Sequence, residues 1–169
     1  MREPIVIGFG GNVGEPREIA ERFADVRLEL GALGEITAAP MYRSAPIGPA
    51  QPDFYNTAIR LETRSWSRGL TPAQLLARLQ ELESEYGRDR VNEERWGPRT
   101  IDLDILVWGS ALIRIGELEI PHRRLSDRRF ALEPLVSVVG PDFEIPGQGR
   151  AGDRLAAVQG QQVERLGTW

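Results

Sequence analysis

Two reactive residue types are absent from this chain of 169 residues, and a third occurs once. The lack of cysteine excludes disulfides, zinc–thiolate sites and cysteine nucleophiles. All 21 basic residues are arginine, so Schiff-base lysines are excluded, and so is the Walker A motif, which requires Gly-Lys-Ser/Thr. His122 is the single histidine. Any phosphate chemistry must therefore use arginine, backbone N–H groups and a metal.

The chain also lacks a positive charge balance and a long apolar run. Its formal net charge is −4, which argues against generic binding to nucleic acid or to a membrane surface. No stretch is long enough to span a bilayer, and residues 1–4 do not begin a signal peptide, so we expect a cytoplasmic protein. Hydrophobic residues make up 41% and charged residues 27%, which predicts one soluble domain over residues 1–169.

Apolar periodicity and turn residues predict the element order β-α-β-β-α-β-α. We expect strands at 4–9, 36–43, 54–62 and 101–108, with a short strand near 111–114. Helices are expected from Pro16 to an end near 31–34, from an N-cap at Thr71 to Gly87, from a cap at Asp127, and near 153–158. Two β-α-β units around a mostly antiparallel sheet indicate an α+β, ferredoxin-like sandwich with helices packed on the sheet.

The segment RWGPRTIDLDILVW, residues 95–108, carries the strongest chemical signal. Side chains alternate between the two faces of a strand. One face is expected to be apolar and to carry Ile101, Leu103, Ile105 and Val107. The other face carries Asp102 and Asp104, whose Cα atoms lie about 6.5–7 Å apart along a strand.

Two carboxylates at this spacing repel each other unless a cation lies between them. Mg2+ takes one or two protein carboxylates and completes its shell with water and substrate phosphate, so it is the expected metal. Arg95 and Arg99 stand where they could grip a phosphate chain. The alternative is a surface strand with solvated acids, which is disfavoured because aspartate is a poor strand former.

Five further motifs occur in a fixed order around this segment: Gly10-Gly11-Asn12, Tyr42-Arg43-Ser44, Pro46-Ile47-Gly48-Pro49, Gln51-Pro52-Asp53-Phe54-Tyr55-Asn56 and Ile120-Pro121-His122. With them, the chain resembles the 6-hydroxymethyl-7,8-dihydropterin pyrophosphokinase family from about Ile5 to Leu135. The resemblance implies ATP-dependent transfer of pyrophosphate to the hydroxymethyl oxygen of the pterin, with release of AMP. It also implies two Mg2+ ions, ATP and a reduced pterin as substrates, and a monomer.

The resemblance assigns roles to particular residues of this sequence. Both metal ions would be held by Asp102 and Asp104, which with Arg88, Arg90 and Arg99 form the catalytic set. The pterin-binding residues would be Ser44, Ala45, Ile47, Phe54, Asn56 and Phe130. The ATP-binding residues would be Gln80, Glu83, Arg88, Arg90, Trp96, Arg99, Ile105, His122 and Arg128.

The charged stretch 88–95 is expected to be a mobile loop that closes over ATP and brings Arg88 or Arg90 onto the β-phosphate. The alternative is a solvated charge cluster. The chain departs from the family pattern at four places, in this loop and on the phosphate side of the site. These departures bear on how the loop closes and not on the class of reaction. They are Gly11 in place of serine, Val91-Asn92 where a lysine is usual, Glu117 for an arginine, and Arg123 for a tyrosine.

Other interpretations of the same residues remain open at this point. Without the resemblance, Phe54 and Phe130 would be assigned to the core. Trp96 could pack on a nucleotide, order the loop or fill the core, and His122 is equally compatible with a donor to phosphate and with a turn residue that has a backbone partner. Rival functions are another metal-dependent phosphotransferase or nucleotidyltransferase and a non-catalytic RNA-binding module. A dinucleotide site at 8–10 is disfavoured because Val13 stands where the motif requires glycine.

Overall fold

A computed structural model describes residues 3–64 and 69–169 of the chain. Met1 and Arg2, which belong to the segment predicted not to begin a signal peptide, lie outside the described residues. The elements in chain order are β1 (Ile5–Gly11), α1 (Pro16–Leu30), β2 (Gly34–Ala38), β3 (Met41–Ser44), β4 (Phe54–Thr63), α2 (Pro72–Glu85), β5 (Asp102–Trp108), β6 (Ile113–Ile115), β7 (Leu118–Ile120), a 3₁₀ turn (Leu125–Asp127), α3 (Arg129–Val139), β8 (Glu144–Ile145), β9 (Gly149–Arg150), α4 (Ala151–Ala157) and β10 (Val163–Gly167).

Six of these strands form one antiparallel sheet in the order β10-β3-β4-β1-β5, with β2 also paired to β4. β3 pairs with the start of β4 and β2 with its end, so the two short strands follow each other along one long strand. The strand predicted over 36–43 is therefore two strands, separated at Ala39-Pro40. Proline has no N–H to give to a ladder, which favours such a break. The predicted antiparallel α+β fold is confirmed.

One face of the sheet is covered by α1 and α2. The predicted apolar stripe of α1 is buried against β1, and it consists of Ile19, Phe23, Val26 and Leu30. α2 buries Leu75, Leu79 and Leu82 on the same face. It begins with the predicted capping box, in which the Gln74 N–H donates to Thr71 Oγ1 and the Thr71 N–H donates to Gln74 Oε1. None of the described helices is long and apolar enough to cross a membrane.

The opposite face is only partly covered, by α3. Its side chains Leu132, Leu135 and Val138 pack on Val6 and Ala58 of the sheet. The predicted cap at Asp127 is wrong, because Asp127 belongs to the 3₁₀ turn and α3 has no side-chain cap from its N-cap residue. Arg128 is extended, so the helix starts one residue later. The part of this face beyond the start of α3 remains open.

A bulge in β5 decides which residues face α3. Val6 pairs with Val107 while Ile7 pairs with Ile105, so Leu106 is an extra residue in the ladder. Leu106 and Val107 therefore both belong to the α3 side, and the prediction that Val107 shares a face with Ile105 is wrong. Ile101, Leu103 and Ile105 lie in the core under α1 and α2 as predicted.

Candidate active site

The floor of the open face is a bare strip of strand β1. In the strand register, Gly10 lies between Asn56 of β4 and Asp102 of β5, and Gly8 lies between Ala58 and Asp104. A Cβ atom at Gly10 would lie 3.5 Å from Asn56 Oδ1 and 3.9 Å from Asp102 Cβ. Glycine thus leaves space between the Asn56 amide and the Asp102 carboxylate. The Cα atoms of these two residues are about 10 Å apart, which is two inter-strand spacings. The strip forms part of the floor of a cleft of about 350 Å³.

At one end of the strip the Asn56 amide has a fixed orientation. Asn56 is buried, and its Nδ2 donates to Ser44 Oγ at 2.8 Å across the β3–β4 pair. Its Oδ1 faces the strip over Gly10. Phe54 on the sheet and Phe130 in the first turn of α3 also line the cleft. An oriented amide beside aromatic rings matches a flat heterocycle that presents hydrogen-bonding groups at its edge.

At the other end stand the two predicted carboxylates. Asp102 Oδ1 accepts a hydrogen bond from Arg88 Nη1 at 2.5 Å. The pKa of Asp104 is raised to about 7, first by burial of the carboxylate at the floor and then by repulsion from Asp102 and Glu83. Its side chain is still 44% exposed, toward the open cleft. A cation that binds there at neutral pH competes with a proton as well as with Arg88.

The donor set fits Mg2+ bound with substrate. Within residues 3–64 and 69–169, no group of three or more histidine, cysteine, aspartate or glutamate side chains is placed to hold a metal ion. Two carboxylates alone leave most of an octahedral shell to water and phosphate oxygens, which is how Mg2+ is usually bound. Asp102 and Asp104 are the residues that would hold it.

A buried carboxylate behind the cleft fixes the charged loop 88–95. Glu83 of α2 is fully buried, and its Oε1 accepts from Arg88 Nη1 at 2.6 Å and from the Leu103 N–H at 2.8 Å. Its Oε2 accepts from Arg90 Nε at 3.1 Å. Burial raises the pKa of Glu83, while the charge of Arg88 and the bond from Leu103 oppose that shift. One carboxylate thus connects α2, the loop and strand β5.

Arg88 is held among acids rather than in solvent. Its side chain is 7% exposed, and its Nε donates to Glu93 Oε1 at 2.9 Å in addition to the bonds to Glu83 and Asp102. Burial lowers its pKa, but the bonds and charges of Glu93, Asp102 and Glu83 outweigh burial, so the pKa is raised. Arg99 pairs with Glu93 at 2.7 Å. The alternative of a solvated cluster therefore does not describe Arg88.

Trp96 joins three loops at the mouth of the cleft. Its backbone has a φ of 64°, a left-handed conformation that non-glycine residues rarely adopt. Gln51 Nε2 donates to the Trp96 carbonyl at 2.7 Å, and the Arg124 guanidinium lies 4.7 Å from the centre of the indole ring. A side chain at Gly48 would meet Trp96 Cβ at 3.0 Å. The alternative that Trp96 fills the core is wrong, because Trp96 belongs to neither apolar core cluster and lines the cleft.

Asn12 belongs to one of the sequence motifs and had no assigned role; in the structure it holds loops that border the cleft. It is buried, its Nδ2 donates to Gln51 Oε1 and to the Pro52 carbonyl, and its Oδ1 accepts from the Arg99 N–H at 2.8 Å. Its own N–H donates to the Arg99 carbonyl at 2.9 Å. Asn12 and Gln51 thereby fix the loop after β1, the loop before β4 and the 95–99 turn relative to one another. The signal in the sequence was a polar residue that stands directly after a buried strand.

His122 is a neutral donor beside the acids. Burial, with the charge of Arg128, lowers its pKa to about 4. Its Nδ1 accepts the Arg124 N–H at 3.3 Å, so the neutral ring carries its proton on Nε2, 3.9 Å from Asp104 Oδ2. Arg128 is also partly buried; burial and the charge of Arg124 lower its pKa. The arrangement suits His122 to donate to a phosphate oxygen rather than to act as a base.

The cleft brings together most residues that the sequence assigned to the site. Those that line it are Ser44, Ala45, Ile47, Phe54, Asn56, Arg88, Arg90, Trp96, Arg99, Asp102, Asp104, His122, Arg128 and Phe130. Gln80, Glu83 and Ile105 do not line it. Ile105 alternates with Asp104, so its side chain lies in the core under α1 and α2. Arg123 and Arg124, to which no role was assigned, join the lining.

Six arginines thus face a pair of carboxylates and an oriented amide in one cleft. Such a combination is typical of enzymes that transfer phosphorus groups with the help of a metal ion.

Comparisons with known proteins narrow this class. Residues 6–140 match the family described as 7,8-dihydro-6-hydroxymethylpterin-pyrophosphokinase (HPPK). The 2-amino-4-hydroxy-6-hydroxymethyldihydropteridine pyrophosphokinase of Pseudomonas aeruginosa is 38% identical over 167 residues, 98% of each chain. The Synechocystis protein of the same name is 34% identical over 97% of this chain and 78% of its own. The chain therefore belongs to the HPPK family.

Solved structures agree at the level of the fold. Wild-type HPPK-DHPS of Plasmodium falciparum, crystallised with pterin and p-hydroxybenzoate, has a TM-score of 0.66 at 14% identity. The match covers 93% of this chain and 42% of that chain, so this chain spans less than half of the Plasmodium protein. The Pisum sativum folate synthesis bifunctional protein is 36% identical over 82% of this chain and 25% of its own.

Proposed function

We propose that the cleft transfers the pyrophosphoryl group of ATP to the hydroxymethyl oxygen of 6-hydroxymethyl-7,8-dihydropterin, with AMP as the second product. The observation that carries the proposal is the cross-strand row in which Gly10 separates Asn56 from Asp102. It leaves a gap over Gly10 with the Asn56 amide at one end and the acidic pair at the other. Membership of the HPPK family supports the same reaction.

The pterin would lie over the glycine strip, with Asn56 at its edge. Ser44 holds the Asn56 amide at 2.8 Å, so the amide oxygen is oriented before substrate arrives. Phe54 and Phe130 lie on the sheet and on α3 respectively, and the ring would stack between them. Ala45 and Ile47 would complete this wall.

The triphosphate would lie at the acidic end, among the arginines. The hydroxymethyl oxygen gives up its proton to solvent and forms a bond to the β-phosphorus. The bond from that phosphorus to the oxygen that bridges it to the α-phosphorus breaks, and that oxygen leaves with AMP. Bound Mg2+, two ions of which the resemblance implies, would neutralise phosphate charge and lower the pKa of the hydroxyl. His122 donates from Nε2, while Arg99 and Arg128 hold phosphate oxygens.

Arg88 is proposed as the residue that stabilises the transferring group. In this structure it is bound to Asp102, Glu83 and Glu93, so it must leave at least one of these acids to reach a phosphate. A cation bound to Asp102 would neutralise its carboxylate and compete with Arg88 for it, so the Arg88–Asp102 ion pair would weaken. Loop closure would then bring Arg88 or Arg90 onto the β-phosphate.

Product analysis tests the proposed reaction. Incubation with ATP, Mg2+ and the pterin should give AMP and a pterin diphosphate in equal amounts by chromatography and phosphorus NMR. A nucleotidyltransferase would instead release inorganic pyrophosphate and attach the nucleotide to the acceptor. That result, or ADP as the nucleotide product, would contradict the proposal. Without Mg2+ the reaction should stop, and addition of the metal should restore it.

The monomeric state and the cytoplasmic location also stay proposals. They rest on the resemblance and on the composition, which carries no basic excess and no long apolar run. Sedimentation equilibrium at micromolar concentration should give a mass near 18.9 kDa. A mass that doubles with concentration would contradict the monomer.

A further inference from the structure

The segment 159–169, which we call the strap, lies beyond the residues 6–140 that match the family. It runs from the end of α4 past the start of α3 and along the edge of the sheet. Its two ends contact the two elements that carry the walls of the proposed pterin slot. These are α3, which carries Phe130, and the β3–β4 pair, which carries Ser44 and Asn56.

The first end of the strap caps α3. Gln161 Oε1 accepts the N–H of Arg129, the first residue of the helix, at 2.8 Å, and Gln161 Nε2 donates to the Asp127 carbonyl at 2.8 Å. Arg129 Nη1 donates to the carbonyls of Gln159 and Gln161. Because α3 has no side-chain cap of its own, Gln161 satisfies a helix N–H from outside the helix. This contact fixes the turn that presents Phe130.

The second end holds the sheet edge. β10 pairs with β3, and Val163 lies opposite Ser44, whose hydroxyl orients the Asn56 amide. Beyond β10, Trp169 turns onto the sheet face under α1. Its Nε1 donates to the Ala39 carbonyl at 2.8 Å and lies 3.1 Å from Thr57 Oγ1, beside Asn56. Its ring contacts Phe9 and Phe23.

We propose that the strap is a positioning element that sets the width of the pterin slot, with Gln161 and Trp169 as its two anchors. The inference rests on the proposed function, because it takes the space between α3 and β4 as the pterin site. A flat ring stacked from both faces tolerates little error in the separation of the two walls. A misplacement of about 1 Å can lower the rate of the catalysed reaction about 100-fold. The strap hydrogen-bonds both to the start of α3 and to the sheet edge formed by β3 and β4.

The test is a double-mutant cycle on pterin affinity with the whole chain. Gln161→Ala removes the external cap, and Trp169→Phe keeps a ring but removes the indole N–H. Binding of 6-hydroxymethylpterin is measured by fluorescence with Mg2+ and α,β-methylene-ATP present. Each variant should weaken pterin binding about 3- to 10-fold. This change is the one expected from the loss of one or two hydrogen bonds. Gln162→Ala, at an exposed neighbour, is the control and should bind as the wild type does.

The cycle distinguishes a strap from two separate local contacts. Residues 161 and 169 are about 25 Å apart along an extended chain, so independent effects would add. If the strap acts as one element, the second substitution should add little to the first. The pterin affinity of the double variant should then be at most about twofold lower than that of the single variant with the lower affinity. Fully additive effects, or unchanged pterin affinity in both single variants, would overturn the inference.

The affinity for the ATP analogue and the activity of the wild type separate a failure of the strap inference from general destabilisation and from a failure of the proposed function. Trp169→Phe should leave the affinity for the ATP analogue within about twofold, since β10 and β5, which carries the acidic pair, lie at opposite ends of the strand order. A merely destabilised protein would lose both ligands together. If the wild type binds no pterin and forms no product, the proposed function fails. If it does both and the variants match Gln162→Ala, only the strap inference fails.

Discussion

Glu83→Gln tests whether one buried carboxylate holds the charged loop in place. Glu83 accepts hydrogen bonds from Arg88, Arg90 and the Leu103 N–H while it is fully buried. Glutamine has the same size and keeps one oxygen, which can still serve Arg88 and Leu103. Its NH₂ group, however, faces the donors of Arg90, so that contact is lost and becomes repulsive. The variant therefore separates the charge of Glu83 from its volume.

The expected cost follows from what each partner retains. Loss of one partner from a buried ion pair costs about 3–5 kcal/mol. Arg88 keeps Asp102 and Glu93, and Arg90 is 45% exposed, so solvent screens its loss. A hydrogen bond to a charged group contributes about 1.5–3 kcal/mol, and we expect a loss of about 2 kcal/mol. For a domain of this size, that corresponds to a Tm lower by about 4–8 °C.

Urea unfolding measures this loss, with the slope of free energy against urea required to stay constant. Glu81→Gln is the matched control, because Glu81 stands on the same helix and forms an exposed ion pair with Arg78 at 3.3 Å. It should cost less than about 0.5 kcal/mol. Equal losses in the two variants would show that Glu83 acts only as a filler of space.

Three other predictions concern the chemistry of the cleft. Arg88→Ala should slow the single-turnover rate by about 1000-fold with little change in nucleotide affinity, as for an arginine finger; a change in affinity alone would remove that role. Asn56→Ala should weaken pterin binding by about 10- to 100-fold in calorimetry and leave the ATP analogue unaffected. In metal-free protein, the contribution of Asp104 to stability should fall as pH rises from about 4 to about 7, because the folded state binds the Asp104 proton more tightly than the unfolded chain does, with an ordinary pKa of 3.8; His122, whose pKa is lowered, contributes in the opposite direction. Asp104→Asn should remove this part of the slope in urea unfolding across that range, and an unchanged slope would contradict it.

Local patterns identified most of the elements because the residues involved satisfy local rules. The capping box at Thr71 and the four-residue stripe of α1 both occur in the structure where periodicity places them. The bulge at Leu106 was not predictable from alternation, because it depends on the register with β1. β10 was missed because its alternation is weak and its side chains are mostly exposed, so only pairing with β3 makes it a strand.

In the candidate site, too, local motifs predicted some residues, whereas the roles of others became visible only in the tertiary structure. The motif around Asp102 and Asp104 predicted the acidic pair on one strand face, and the cleft contains it. The role of Asn12 required the three-dimensional structure, because its partners Gln51 and Arg99 are 39 and 87 residues away. The same is true of Arg124, which stacks on Trp96 from a different loop.

The sequence by itself determined the chemistry available to this protein. It supplies arginine without lysine or cysteine, one carboxylate pair on a strand, and an asparagine and aromatic residues in family order. Only the tertiary structure decided their arrangement, since the register of β4, β1 and β5 places Asn56 and Asp102 on either side of Gly10. It also decided that Arg88 is held by acids and that the strap contacts both walls. Side-chain type is a local property, whereas distance between strands and loops depends on packing across the whole chain.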